Sequence, residues 1–275
     1  MSLFAPVLAI GAGKMGGAIL TAWLGAEDRD LLTCSDLYVQ DPSPPAETRE
    51  LLAKYNVEIT AVADLPKPPE LVMVGVKPQI ITPVLEELAP RLDGESLVLS
   101  VAAGKTLEDL ARSLPAKTPI VRAMPNTPIM VQAGMCALIG NEHVSTKQRD
   151  LLDQLLAPTG SVAWLEQEQH MDAVTALSGS GPAYLFWLTQ CMVEAGIKAG
   201  LDEELALTLA KNTVYGAGKL MMHSELPPQT LRENVTSKGG TTAAALDVLM
   251  DESGLEPLIR SAIEAAVKRS KELSG

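Results

Sequence analysis

The stretch Val7-Leu8-Ala9-Ile10-Gly11-Ala12-Gly13-Lys14-Met15-Gly16 decides the fold. Four apolar residues make a short buried strand, and residues 14–24 read as a helix closed by Gly25. Between them, glycines at 11, 13 and 16 have the spacing of the dinucleotide fingerprint, in the strand, turn, helix context it requires. Gly11 permits the tight turn, Gly13 lets the backbone approach a pyrophosphate, and Gly16 lets helix and strand pack closely. The pyrophosphate then rests on the positive end of the helix. A glycine-rich packing turn that binds nothing is the plainer alternative.

Outward from this motif the chain alternates. Short apolar runs at 37–40, 71–76, 97–101 and 120–123 read as strands, and 46–55, 83–92 and 107–114 read as helices. Ser145 and Gln148 have the spacing of a capping box opening a helix through Leu156, and 161–165 reads as a last strand. Strands alternating with helices imply an α/β, Rossmann-like domain with a doubly wound parallel sheet over residues 1–165. Beyond Leu165 the alternation stops. Pro182 suits the first turn of a helix reaching Gly200, and Asp202 caps another reaching Met222. Segments 242–250 and 255–273 complete an all-α domain over 166–275. Two of its segments, 184–195 and 205–220, are apolar over much of their circumference and need burial on several sides. A homodimer through this domain supplies that burial; a self-contained bundle is the alternative.

Composition excludes several functions. The net charge of −12 and the lack of a basic block argue against nucleic acid as a partner. The three cysteines are far apart and the three histidines share no ligand spacing with them, so neither a disulfide framework nor a metal site is expected. No basic leader and no run of about 18 apolar residues appears, so a cytoplasmic protein with no membrane partner is expected.

Further motifs lie where chemistry is expected. Asp41 ends the second strand, where a carboxylate accepts hydrogen bonds from an adenosine ribose and repels a 2′-phosphate, favouring NADH. Ser43 and Arg49 nearby offer a phosphate site and so NADPH, and Asp41 also suits a simple turn before Pro42. At the ends of later strands, Val76-Lys77-Pro78, Ala102-Ala103-Gly104 and Pro125-Asn126-Thr127-Pro128 suit a backbone-lined slot for a flat nicotinamide. Ordinary turn chemistry explains each singly. Ser178-Gly179-Ser180-Gly181-Pro182 lacks the first glycine of a nucleophile elbow and reads as a sharp lead-in to a buried helix. Val235-Thr236-Ser237-Lys238-Gly239-Gly240-Thr241-Thr242 opens a helix with hydroxyls and glycines, an anion site suited to a carboxylate. Plain capping by Thr241 or Thr242 competes with that reading.

In order and spacing, the pieces at 11–16, 76–78, 102–104, 122–128, 178–184 and 235–242 resemble the pyrroline-5-carboxylate reductase family along nearly the whole chain. Lys238 departs from the family, which usually has proline there. The resemblance implies a Rossmann-like domain, a helical dimerisation domain and, often, higher assemblies of dimers. It implies NADPH or NADH as hydride donor, bound by Gly11, Gly13, Lys14, Met15, Gly16, Asp41, Val76, Lys77, Pro78, Ala102, Ala103, Gly104 and Asn126. The implied substrate is a small cyclic imine, 1-pyrroline-5-carboxylate, reduced to L-proline. The implied contacts are Glu168, Glu225, Asn234, Thr236, Ser237, Gly240, Thr241 and Thr242. Thr242 is the candidate for the catalytic hydrogen bond to the ring nitrogen. Two rivals share the fingerprint: a 3-hydroxy-acid dehydrogenase, with Lys198 or Lys211 handling a hydroxyl proton, and a non-catalytic dinucleotide sensor.

Overall fold

The computed structural model describes residues 4–26 and 32–274. Its backbone divides into two compact units, one running through Gly179 and taking back the chain from Val267, the other spanning Ser180–Ala266. The boundary expected after residue 165 follows the end of the last strand, but the first unit continues for one more short helix.

In the first unit the strands are β1 (Val7–Ile10), β2 (Leu37–Gln40), β3 (Leu71–Val74), β4 (Leu97–Ser100), β5 (Ile120–Pro125), β6 (Gly134–Gly140) and β7 (Gly160–Trp164). They form one sheet in the order β2-β1-β3-β4-β5-β6-β7. Strands β1, β3 and β4 are buried at every position, as parallel strands covered on both faces must be, whereas edge strand β2 alternates. Helices α1 (Lys14–Gly25), α2 (Ala46–Lys54) and α5 (Thr146–Leu156) contribute Ile19, Trp23, Leu52, Leu152 and Leu155 to the core on one face. Helices α3 (Ile81–Leu88) and α4 (Leu107–Ala111) contribute Ile81, Leu85, Leu88 and Leu110 to the core on the other. The sheet is therefore doubly wound, with its strand order reversing between β1 and β3.

It is not wholly parallel. Strand β6, which the sequence reading left unassigned, runs antiparallel to β5, and β7 runs parallel to β6. The run Met135–Ile139 is apolar and bounded by glycines, but only a short 3-10 helix over Thr127–Val131 separates it from β5, so the alternation rule passes over it. Helix α6 (Met171–Val174) widens into a π turn over Thr175–Gly179.

The second unit contains α7 (Gly181–Lys198), α8 (Glu203–His223), α9 (Pro228–Asn234) and α10 (Thr241–Leu249), and the long helix α11 (Leu255–Ser274) begins in it. Asp202 caps α8 by accepting from the Leu205 N–H at 2.9 Å, as its position predicts. Helix α9 is a single short segment opened by Pro227-Pro228 and was not expected.

Candidate functional site

The reversal of strand order between β1 and β3 opens a crevice at their carboxyl ends, the position where open α/β sheets bind ligands. Glycines build it. The Gly11 N–H donates to the Gln40 carbonyl at 2.9 Å and the Gly75 N–H to the Ile10 carbonyl at 2.7 Å. Gly11 has φ +88°, and a Cβ there would lie 2.8 Å from the Gly75 carbonyl and 2.9 Å from Val76 Cγ1. A Cβ on Gly16 would lie 2.1 Å from the Gly11 carbonyl oxygen. These glycines are therefore required by the protein's own packing. Gly13 is different: a Cβ added there meets nothing within 4 Å. It is the N-cap of α1, and no side chain caps that helix start. Open space over uncapped N–H groups is the shape that a pyrophosphate fills, so the residues present fit a dinucleotide. Gly75, which the sequence reading passed over inside the expected strand 71–76, is the second wall of this crevice. A Cβ there would come 2.9 Å from the Gly11 carbonyl oxygen, and β3 stops one residue before it.

Asp41 braces the same loop. Its Oδ2 accepts from the Ala12 N–H at 2.7 Å and its Oδ1 from the Ser43 N–H at 2.8 Å. The buried Thr48 hydroxyl donates to the Ala12 carbonyl at 3.2 Å, so Ala12 is held on both sides. The structure thus gathers Gly11–Gly16, Asp41 and Val76 around one crevice. Lys14 is exposed and Met15 packs partly into the core. Lys77 is exposed at the start of the turn Pro78–Ile80. Ala102 is buried, while Gly104, with φ +71°, would bring a Cβ to 3.1 Å from the Leu273 carbonyl oxygen at the end of α11.

Asn126, at the end of β5, has every hydrogen-bonding group engaged. Its N–H donates to the Met135 carbonyl at 3.1 Å, and its carbonyl accepts from the Ile129 N–H at 3.2 Å. Its Oδ1 accepts from the Met135 N–H at 2.8 Å, and its Nδ2 donates to the Ser178 carbonyl at 3.2 Å. Glu168 receives the Leu107 N–H at 2.7 Å and the guanidinium of Arg122, both on Oε1. Arg122 is buried within β5, a charged residue that the strand pattern hid; its side chain is 9% exposed against 31% for Glu168. Burial pushes the Cys136 thiol up to about 12, so it is no nucleophile at neutral pH. Among the described residues no group of three His, Cys, Asp or Glu could hold a metal ion.

The second unit gathers the other candidates on one stretch. Asn234 ends α9, the Thr236 hydroxyl back-bonds to the Arg232 carbonyl at 2.6 Å, and Gly240 is the N-cap of α10. A Cβ on Gly240 would lie 2.5 Å from Ser237 Oγ and 3.2 Å from the Ser237 carbonyl oxygen, so the turn is close. Thr241 and Thr242 are the first two helical residues rather than caps, and no side chain caps α10. The competing explanation of those threonines as plain N-caps therefore fails. Glu225 is exposed in the loop before α9, and Lys198 and Lys211 are exposed as well.

A glycine-built crevice in a doubly wound sheet, followed by a separate helical domain, marks the class of nicotinamide-dependent oxidoreductases. Residues 7–104 match the family model described as NADP oxidoreductase, coenzyme F420-dependent, and residues 168–273 match pyrroline-5-carboxylate reductase dimerisation. The pyrroline-5-carboxylate reductase of Pseudomonas aeruginosa is 39% identical over 271 residues, covering 96% of this chain and 95% of that one. That of Pasteurella multocida is 36% identical over 270 residues, covering 96% of each. The solved structure of a pyrroline-5-carboxylate reductase from Coxiella burnetii superposes with a TM-score of 0.90 at 34% identity, covering 98% of this chain and 99% of that one. The chain belongs to the pyrroline-5-carboxylate reductase family.

Proposed function

We propose that this chain reduces the C=N bond of 1-pyrroline-5-carboxylate to give L-proline, using NADPH or NADH. The observation that carries the reading is the turn at residues 237–242, a tight glycine turn opening an uncapped helix with two threonines in its first turn. Such a turn suits a small carboxylate, which a dinucleotide sensor has no need to bind.

The bound dinucleotide supplies the hydride that the imine carbon accepts. The protein's task is to orient both reactants and to serve the ring nitrogen. Gly11, Gly13 and Gly16 seat the pyrophosphate, with Lys14 and Met15 flanking it. Val76, Lys77, Pro78, Ala102, Ala103 and Gly104, at the strand ends, would hold the nicotinamide. The N–H groups opening α10, with Ser237, Gly240 and Thr241, hold the substrate carboxylate. Addition at carbon leaves an electron pair on nitrogen, so that nitrogen must be or become protonated. The Thr242 hydroxyl is assigned the hydrogen bond to it. Asn234, Thr236 and Glu225 are assigned to the substrate from the second unit, and Glu168 from the first, where its Oε1 serves Arg122 and Leu107. Fixing a near-attack geometry in this way contributes several kcal/mol.

We also propose a homodimer, with further assembly of dimers as the resemblance implies. Along α7 and α8, Phe186, Trp187, Tyr215 and Met222 are between 61% and 76% exposed in the single chain. That is more apolar area than a monomer ordinarily leaves in water. We further propose a cytoplasmic location, where Cys34, Cys136 and Cys191 would stay free thiols.

Thr242→Ala tests the assignment of the nitrogen contact: kcat/KM for the imine is expected to fall by roughly ten- to a thousand-fold. Kinetics equal to the parent protein would remove Thr242 from the mechanism.

A further inference from the structure

We infer that Asn126 serves the proposed reaction as a positioning residue, by giving the Ser178 carbonyl the hydrogen bond that Pro182 withholds. This rests on the reductase reading given above. In a continuous helix the Ser178 carbonyl would accept from the N–H four residues on, and that residue is Pro182, which has none. The chain here is a π turn over Thr175–Gly179 leading into α7, a geometry frequently met at functional sites. Asn126 Nδ2 meets the orphaned carbonyl at 3.2 Å and lies 3.4 Å from Ser178 Oγ. The other half of the amide is fixed, because Oδ1 accepts from the Met135 N–H at 2.8 Å. The π turn also passes close to the same strand end: a Cβ added to Gly179 would lie at ordinary contact distance, 3.5 Å, from Met124 Sδ. Asn126 therefore ties together the carboxyl end of β5, the start of β6 and the hydroxyl-bearing turn that leads to α7. The carboxyl edge of the sheet is where the nicotinamide half of a dinucleotide lies, so this clamp holds one wall of the reacting site. With its backbone and side chain all committed to protein, Asn126 acts on the reaction through the turn and not as a ligand of the cofactor.

Asn126→Asp is the test, because it keeps the acceptor for Met135 and loses the donor for Ser178. At neutral pH the variant should keep its NADPH dissociation constant within about threefold, while kcat falls by roughly ten- to a hundredfold, as a misplaced wall costs. Its kcat relative to the parent protein should recover as pH falls, because a protonated carboxyl again donates to the carbonyl. Asn126→Ser, too short to reach, should show the same loss with no acid recovery. NADPH binding weakened tenfold with kcat retained would make Asn126 a cofactor ligand and overturn the proposal. So would unchanged kcat in Asn126→Asp, or loss of the fold in both variants. The parent protein's own activity separates the two claims. An inactive parent overturns the reductase reading and this proposal with it, whereas an active parent and an unaffected variant overturn this proposal alone.

Discussion

At the scale of single residues, the three fingerprint glycines look alike in the sequence but answer to different constraints. Gly16 is fixed by the protein itself, since any Cβ would strike the Gly11 carbonyl oxygen at 2.1 Å. Gly16→Ala should therefore destabilise the fold by about 3 kcal/mol, an overpacking cost, which chemical denaturation will measure. Gly13 meets no such constraint from the protein, since a Cβ there has nothing within 4 Å, and its glycine is ascribed to the proposed pyrophosphate. Gly13→Val should change stability by no more than about 1 kcal/mol and weaken dinucleotide binding at least a hundredfold, or about 3 kcal/mol. Normal titration with NADPH or NADH would contradict the pyrophosphate assignment. Asp41 fits its turn reading in the structure, while its contact with a ribose is a proposal. It initiates the turn through Ser43, and its charge sits against the glycine loop through Ala12. Asp41→Asn, which removes the charge, should raise the NADPH to NADH ratio of kcat/KM by about tenfold, equivalent to 1.4 kcal/mol. A ratio that does not move would leave Asp41 as a brace only. The glycine motif was legible because its function demands fixed spacing. Gly75 and Arg122 were not, because each sits inside an apolar run whose pattern gives no sign of what the neighbouring strand requires.

At the scale of elements, the buried charge pair and the short helix α4 are linked. Glu168 holds Arg122 of β5 and the first N–H of α4 together. Replacing Arg122 by Met leaves Glu168 without its cation, and a cost of roughly 3 kcal/mol is expected, the lower end of the range because Glu168 is partly exposed. The double variant with Glu168→Gln should recover part of it, so a simple sum of the two single effects would deny the coupling. Helix α4 itself begins with a capping box between Thr106 and Asp109. Burial pushes the Asp109 carboxyl up, but bonds from the Thr106 N–H and hydroxyl, with the charges of Lys105 and Arg112, outweigh it and hold it below its usual value. The stability it contributes is therefore fully present above about pH 4 and is lost as pH falls through the lowered value. Asp109→Ala should cost about 1 kcal/mol at neutral pH and progressively less in acid, as urea melts at several pH values will show. The strands β1, β2 and β7 could be read almost to the residue, because each is a short run bounded by turn residues. Strand β6 and helix α9 could not, since an antiparallel return and a seven-residue helix both fall outside the periodic patterns that betray longer elements.

At the scale of the whole molecule, a chain with a sizeable mixed core in one unit and nearly bare helices in the other is incomplete as a monomer. Helix α7 has no buried residue and α8 only Ala206 and Ala210. The sequence announced this through helices that are apolar nearly all round, which no single neighbour can bury. Trp187→Glu should shift the assembly towards a species of 29.1 kDa in light scattering, and reductase activity should fall with it. Full activity in a monomer would show that one chain suffices. The central claim is the reaction, and the most direct measurement of it is the loss of reduced-nicotinamide absorbance when the purified protein meets 1-pyrroline-5-carboxylate with NADPH and, in parallel, NADH. Substrate-dependent oxidation of the cofactor with stoichiometric formation of proline is the predicted result. Folded protein that oxidises neither cofactor would contradict the account.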